Sequence, residues 1–320
     1  MKKFFSSMLL GSALIAVPAS AAVITNGTIQ LGVGSFGQLN DAGIGLKDLR
    51  TSHESIAPGC ECEGWGAANA ANGTTGYANN SLGTSNVVTS SFTNTASTAT
   101  AVVDIAGATS MQVTHTFAPS ASSDLYEALV TIKNTSATAI TDLRYRRVMD
   151  WDIEPTAFNE LVTIQGVGAT ALLFSSDNGF ASGDALSARG SILGGTTNVN
   201  FVDSGPTDHG ALFDFGFGTL AAGDTKTFKI FYGASLTEAG ALTALGTVGA
   251  ELYSLGQSRD DATGGRRGYS TFIFGFKGVG GTVIPGAVPE SSTWMMMIVG
   301  FGAAGSALRL RRRNAVASLA

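Results

Sequence analysis

In several stretches of this chain, apolar side chains recur at every second position. In Tyr126–Ile132, for example, Tyr126, Ala128, Val130 and Ile132 share one face of an extended strand. Runs rich in Val, Ile, Thr and Phe, separated by Gly and Asn/Asp turns, predict strands at 28–33, 86–94, 99–105, 111–117, 125–134, 140–152, 161–165, 171–174, 211–217, 225–232 and 271–276. That pattern predicts a mainly all-β fold, an antiparallel β-sandwich or a large sheet stack. One stretch has a different period. Ser235-Leu236-Thr237-Glu238 reads as a capping box, and Leu242, Leu245, Val248, Leu252 and Leu255 follow at helical spacing. This predicts one helix near 236–255, packed on a sheet. Between Gly64 and Asn94 large apolar residues are few, and the Ala/Asn/Gly/Thr/Ser tract reads as a long surface loop or a poorly ordered insert.

The two ends carry a different hydrophobic pattern. Lys2 and Lys3 precede an apolar run from Phe4 to Val17, and Pro18-Ala19-Ser20-Ala21 supplies a small-x-small cleavage site. Residues 1–21 therefore read as a signal peptide, with Ala22 as the mature N-terminus and a body over 22–277. A Gly/Val/Pro linker follows at 278–287. From Trp294 to Leu308 fifteen consecutive residues are uncharged, and Arg309, Arg311, Arg312 and Arg313 close the run. Such a helix, at 293–308, is roughly 23 Å long against a hydrocarbon core of about 30 Å, a short span. Trp294 at its start and arginines at its end place the body outside the cytoplasm by the positive-inside rule. Gly300-Phe301-Gly302-Ala303-Ala304-Gly305 spells a dinucleotide fingerprint. With no strand before it and no βαβ unit around it, the match is accidental.

Val288-Pro289-Glu290, then Ser292-Thr293-Trp294, the Gly-rich apolar run and the arginine cluster together resemble the PEP-CTERM sorting domain. That domain occurs on exported proteins of Gram-negative bacteria that make exopolysaccharide. The resemblance covers 288–313. Ser291 stands where the family usually has its second proline, and a tail at 314–320 trails the arginines. It implies an exosortase-type processing enzyme as partner, cleavage near Pro289-Glu290, transient anchoring in the inner membrane, and a cell-surface or extracellular destination associated with exopolysaccharide or biofilm.

Charge narrows the partners of the body. The whole chain carries a net charge of −5, but residues 22–287 hold 13 basic against 23 acidic residues, near −10. That balance argues against nucleic acid and is compatible with cation binding.

The densest polar stretch is Arg144-Tyr145-Arg146-Arg147-Val148-Met149-Asp150-Trp151-Asp152-Ile153-Glu154-Pro155. If extended throughout, it places Arg144, Arg146, Asp150, Asp152 and Glu154 on one face, with the carboxylates about 7 Å apart. Such a row suits Ca²⁺ with oxygens from a neighbouring loop such as Asp177-Asn178-Gly179. It equally suits a sugar stacked on Trp151 or Tyr145, or a solvated face of cross-strand ion pairs. Paired carboxylates also serve glycoside hydrolysis, given the right separation across a cleft. Cys60-Glu61-Cys62 leaves three readings open: a tight disulfide, bonds to other chains, or a soft-metal pair helped by His53. His115 alternates with Val113 and Phe117 as a strand residue, and Asp208-His209-Gly210 reads as a polar loop. No Gly-x-Ser-x-Gly elbow appears. The leading expectation is thus an exported, non-enzymatic surface protein. A Ca²⁺-dependent or aromatic-platform carbohydrate-binding protein and a secreted glycan hydrolase are the alternatives.

Overall fold

A computed structural model describes residues 21–41, 43–285 and 298–301 of the 320-residue chain. In chain order the first strands are β1 (Ala21–Thr25), β2 (Ile29–Gly34), β3 (Leu46–Asp48), β4 (Gly64–Asn69), β5 (Thr74–Asn79), β6 (Gly83–Ser85) and β7 (Val88–Asn94). Then come β8 (Ala99–Ile105), β9 (Met111–Pro119), β10 (Leu125–Asn134), β11 (Ile140–Trp151), β12 (Glu160–Gln165) and β13 (Leu172–Ser176). The remainder is β14 (Phe201–Thr207), β15 (His209–Leu220), β16 (Thr225–Ser235), α1 (Glu238–Val248), β17 (Leu252–Ser258) and β18 (Thr271–Lys277).

The strands form a nine-stranded sheet in the order β14-β12-β17-β18-β16-β10-β9-β8-β7 and a six-stranded sheet in the order β13-β15-β11-β4-β5-β6. A three-stranded sheet, β1-β2-β3, completes the set. The strand pairings are antiparallel, as the alternating pattern predicts. The inner faces of the two large sheets meet through aromatic side chains. Phe213 of β15 lies edge-on to Phe274 and Phe276 of β18, with ring centroids 5.6 and 5.1 Å apart, and Tyr145 of β11 meets Phe228 of β16 at 4.9 Å. Such edge-to-face contacts let large rings fill the space between sheets without voids.

Three sequence expectations need correction. The 64–94 tract is neither loop nor disordered insert. Strand β4 lies between β11 and β5, and every one of its residues is buried. Its small residues serve close approach: a Cβ on Gly66 would collide with the Gly183 carbonyl oxygen packed over it.

The helix is shorter than 236–255. Thr237, not Ser235, is its N-cap, with Oγ1 accepting from the Gly240 amide at 3.0 Å. Ser235 ends β16, and the Glu238 amide donates to Gly264 O at 2.7 Å. Gly249 closes α1 in the left-handed conformation (φ 67°), so Leu252 and Leu255 continue as β17. Their helical spacing is incidental to a strand buried on both faces. Ala241, Ala244, Leu245 and Val248 of α1 pack with Phe231, Leu255 and Ile273 on the outer face of the nine-stranded sheet.

The expected linker is also docked along its first part. Glu251 Oε2 accepts from the amides of Val279, Gly280 and Gly281 at 2.9, 2.9 and 3.1 Å, and Ile284 N donates to Ala250 O at 2.8 Å. Residues 1–20, Val288, Pro289, Glu290, Arg309, Arg311, Arg312 and Arg313 lie outside the described residues. Among the described residues no helix is long and apolar enough to cross a membrane.

Candidate acidic site at the end of the sandwich

The polar stretch of β11 does not form an open face. Residues 177–200 run irregularly across the outer side of the six-stranded sheet, and Ala181 packs there on Val148 and Leu212. Arg146 is therefore buried beneath that segment. It pairs with Asp214 at 2.6 Å and donates to Ser182 O at 2.9 Å. On the opposite side Arg147 is buried between the sheets in an ion pair with Glu63. Glu63 also accepts from Leu39 N at 2.6 Å and Tyr232 OH at 3.1 Å. The expected solvated face is thus covered, and both arginines are held in buried pairs.

Strand β11 ends at Trp151, so the two-residue repeat does not carry on to Glu154. Asp150 pairs in register with Gly210 and Trp151 with His209 of β15. The next step of that ladder sets Asp152 against Asp208. These two residues occupy equivalent places in the fold. After β11 the chain crosses from the six-stranded to the nine-stranded sheet and enters β12 at Glu160. At Asp208 it crosses the other way, from β14 into β15. Glu160 pairs in turn with Thr207. Both crossings sit at one end of the sandwich, with carboxylates at the hinges.

The segment 54–62 closes over this end. Asp152 N donates to Ser55 O at 2.8 Å, and Glu154 N to Glu54 O at 3.1 Å. Glu154 uses its own carboxylate to accept from Glu54 N at 2.9 Å, and it lines a shallow pocket with Lys47, Glu54 and Pro58. It does not join the cluster. Asp208 takes its place: one carboxylate oxygen each from Asp150, Asp152 and Asp208 lie within 4.8 Å of one another.

Asp150, Asp152 and Glu160 are at most 1% exposed, and Asp208 is half-buried. Asp150 Oδ1, both oxygens of Asp152, Glu160 Oε2 and Asp208 Oδ1 have no well-formed hydrogen bond. Burial pushes Asp150 up to about 9, and the negative charges of Asp152, Asp208 and Glu160 add to the shift. Burial, then Asp208 and Glu54, push Asp152 up to about 7 against the weak pull of the Gly59 amide. Glu160 is pushed up to about 8, again chiefly by burial, with Asp152 contributing. Burial also raises Asp208, opposed by His209.

Other sequence candidates fall elsewhere. Asp177 supplies no oxygen to the cluster. It accepts from Ile192 N, Leu193 N, Thr196 Oγ1 and His209 Nδ1 at 2.8, 3.0, 2.7 and 3.1 Å. Trp151 is fully buried and donates from Nε1 to Ser254 Oγ at 3.1 Å, and Tyr145 is fully buried too. Neither presents a face to a sugar, so the stacking platform is excluded. Cys60 and Cys62 are joined as a disulfide. The acidic side chain beside the two sulfurs is Asp150, with no part for His53, which packs against the Tyr269 ring at 5.9 Å. Cys60 Sγ lies 3.3 Å from Asp150 Oδ2, but a disulfide sulfur has no proton to donate. His115 is buried, with Nε2 3.0 Å from Tyr145 OH.

Sequence reasoning missed Asp208 and Glu160. The only signal for Asp208 was the strand register, since position 208 opposes 152 when 150 opposes 210. Nothing local marks Glu160, whose place depends on the nine-stranded sheet.

No family model matches the chain, and no curated protein matches it. Among solved structures, a galactose mutarotase related enzyme from Lactobacillus acidophilus aligns over 83% of this chain and 93% of that one, at 8% identity and a TM-score of 0.31. At that score the likeness establishes neither a shared fold nor a shared activity.

Proposed function

We propose that this chain is an exported, non-enzymatic β-sandwich protein of the cell surface or extracellular matrix. Residues 1–21 direct it across the inner membrane. The segment 288–313 then holds it there until an exosortase-type enzyme processes it, in a setting of exopolysaccharide or biofilm formation. The observation that carries this reading is the order of the C-terminal segment: Val288-Pro289-Glu290, an uncharged run and an arginine cluster, behind a body with its own signal peptide. The Cys60–Cys62 disulfide supports it, because such bonds persist in oxidising compartments outside the cytoplasm. The acidic body, which disfavours anionic partners, is consistent with an extracellular life. Any association with polysaccharide uses surface groups other than Trp151 and Tyr145, both of which lie inside the sandwich.

Fractionating cells that express the full chain or a form lacking 288–313 tests the proposal. The full chain is expected in the envelope, followed by an extracellular form whose mass places its C-terminus near Pro289-Glu290. The truncated form is expected to bypass the envelope stage. Identical partitioning of the two forms would sink the sorting assignment.

A further inference from the structure

We infer that Asp150, Asp152 and Asp208 bind one hard divalent cation, Ca²⁺, with Glu160 as the adjoining fourth carboxylate, and that this ion clamps the two sheet crossings together.

The spacing fits calcium. Oxygen ligands sit about 2.3–2.6 Å from Ca²⁺, so atoms on opposite sides of the ion are about 5 Å apart. One oxygen from each of the three aspartates falls within that span, at 4.8 Å or less. The donors are all carboxylate oxygens, which suit Ca²⁺ and its hard relatives rather than Zn²⁺ or Cu²⁺.

The unpartnered oxygens are independent of the spacing. Buried polar atoms normally find partners, and ionised ones find counter-charges. Asp152 is 0% exposed and neither of its oxygens has a well-formed hydrogen bond, and Asp150, Glu160 and Asp208 each add one more such oxygen. Among the described residues no arginine or lysine ion-pairs with any of the four. Arg146 and Arg189 are committed to Asp214, Arg147 to Glu63, and His209 to Asp177. Backbone is drawn close where side chains would intrude. A Cβ on Gly59 would sit on both Asp152 oxygens, and one on Gly179 would lie 2.7 Å from Asp150 Oδ1. Half-buried Asp208 leaves an approach from solvent.

The ligands come from the end of β11, the β11–β12 crossing and the β14–β15 crossing, beneath the disulfide-bearing segment. One ion therefore ties together segments that are far apart in sequence but hold both sheets at this end. The inference does not depend on how the protein is sorted.

The test uses the purified, chelator-stripped full chain. Calorimetric titration with CaCl2 is expected to give one ion per chain with Kd of about 10⁻⁵ to 10⁻³ M, and the melting temperature should rise with Ca²⁺ and fall back with EDTA. Asp208→Asn, at the half-buried position, should weaken Ca²⁺ binding at least about tenfold while leaving the melting temperature in EDTA unchanged or higher. A merely structural aspartate would lower it in both conditions. Asp152→Asn is a second variant with the same expectation. Absence of binding and of any melting shift at millimolar Ca²⁺ would mean that the carboxyls share protons instead, and would overturn the inference. So would binding unaltered in both variants, or a response to Mg²⁺ or Zn²⁺ stronger than that to Ca²⁺.

Discussion

Replacing Glu63 with Leu should be far more damaging than replacing its partner Arg147 with Met, although each change breaks the same ion pair. Glu63 and Arg147 are both 0% exposed between the sheets. Removing Glu63 leaves a guanidinium that cannot shed its proton, with only Gly37 O at 3.1 Å and Tyr145 OH at 3.4 Å as remaining acceptors. An uncompensated buried charge costs about 3–5 kcal/mol, and the Leu39 amide, stripped of its acceptor, adds about 1–3 kcal/mol. The sum, about 4–8 kcal/mol, is a large part of the 5–15 kcal/mol typical of a domain. Removing Arg147 leaves Glu63 its bonds from Leu39 N and Tyr232 OH, two donors that still face the carboxylate. That loss should stay at about 2–3 kcal/mol. Glu63→Gln, which keeps an acceptor for Leu39, should fall between the two. Urea unfolding followed by tryptophan fluorescence measures all three, with m-values checking that the unfolded states are comparable. Equal losses for Glu63→Leu and Arg147→Met, or a loss below about 1 kcal/mol for Glu63→Leu, would show that water reaches this pair and refute the reasoning.

Two further outcomes follow from individual side chains. Burial holds the His115 imidazole well below its ordinary range, and the Arg147 charge adds to the effect. The folded state therefore stays neutral there while the unfolded state takes a proton below pH about 6.5, so stability falls by about 1.4 kcal/mol per pH unit below that value until the folded group titrates. His115→Gln should remove this slope between about pH 6.5 and 5, measured as the difference from the unsubstituted protein; an unchanged slope would disprove it. Thr237→Ala should cost about 1 kcal/mol by removing the cap on Gly240 N, whereas Ser235→Ala should cost less. The reverse order in thermal melts would restore Ser235 as the cap.

Much of the architecture was legible in the sequence because a strand's side-chain period is local. The alternation in Tyr126–Ile132 marks β10, and the runs at 99–105 and 125–134 coincide with β8 and β10 as formed. Where local pattern misled, tertiary packing had changed the meaning of a residue type. The Ala and Gly of β4 resemble a loop until the 177–200 segment is laid across them, when small size becomes a packing requirement. Leu252 and Leu255 continue a helical spacing, but Gly249 turns the chain into a strand that needs apolar residues on both faces.

The acidic stretch divides along the same line. The sequence by itself singled out Asp150 and Asp152 as an unusual concentration of negative charge on an otherwise charge-poor chain. Only the tertiary structure exchanged Glu154 for Asp208, brought up Glu160 and withdrew Trp151 into the core. The reason is geometric. A period of two predicts neighbours only while a strand lasts, and β11 stops at Trp151. Beyond that residue, position is set by which sheet the chain crosses to, a choice made by pairings some 50 residues away in β14 and β15.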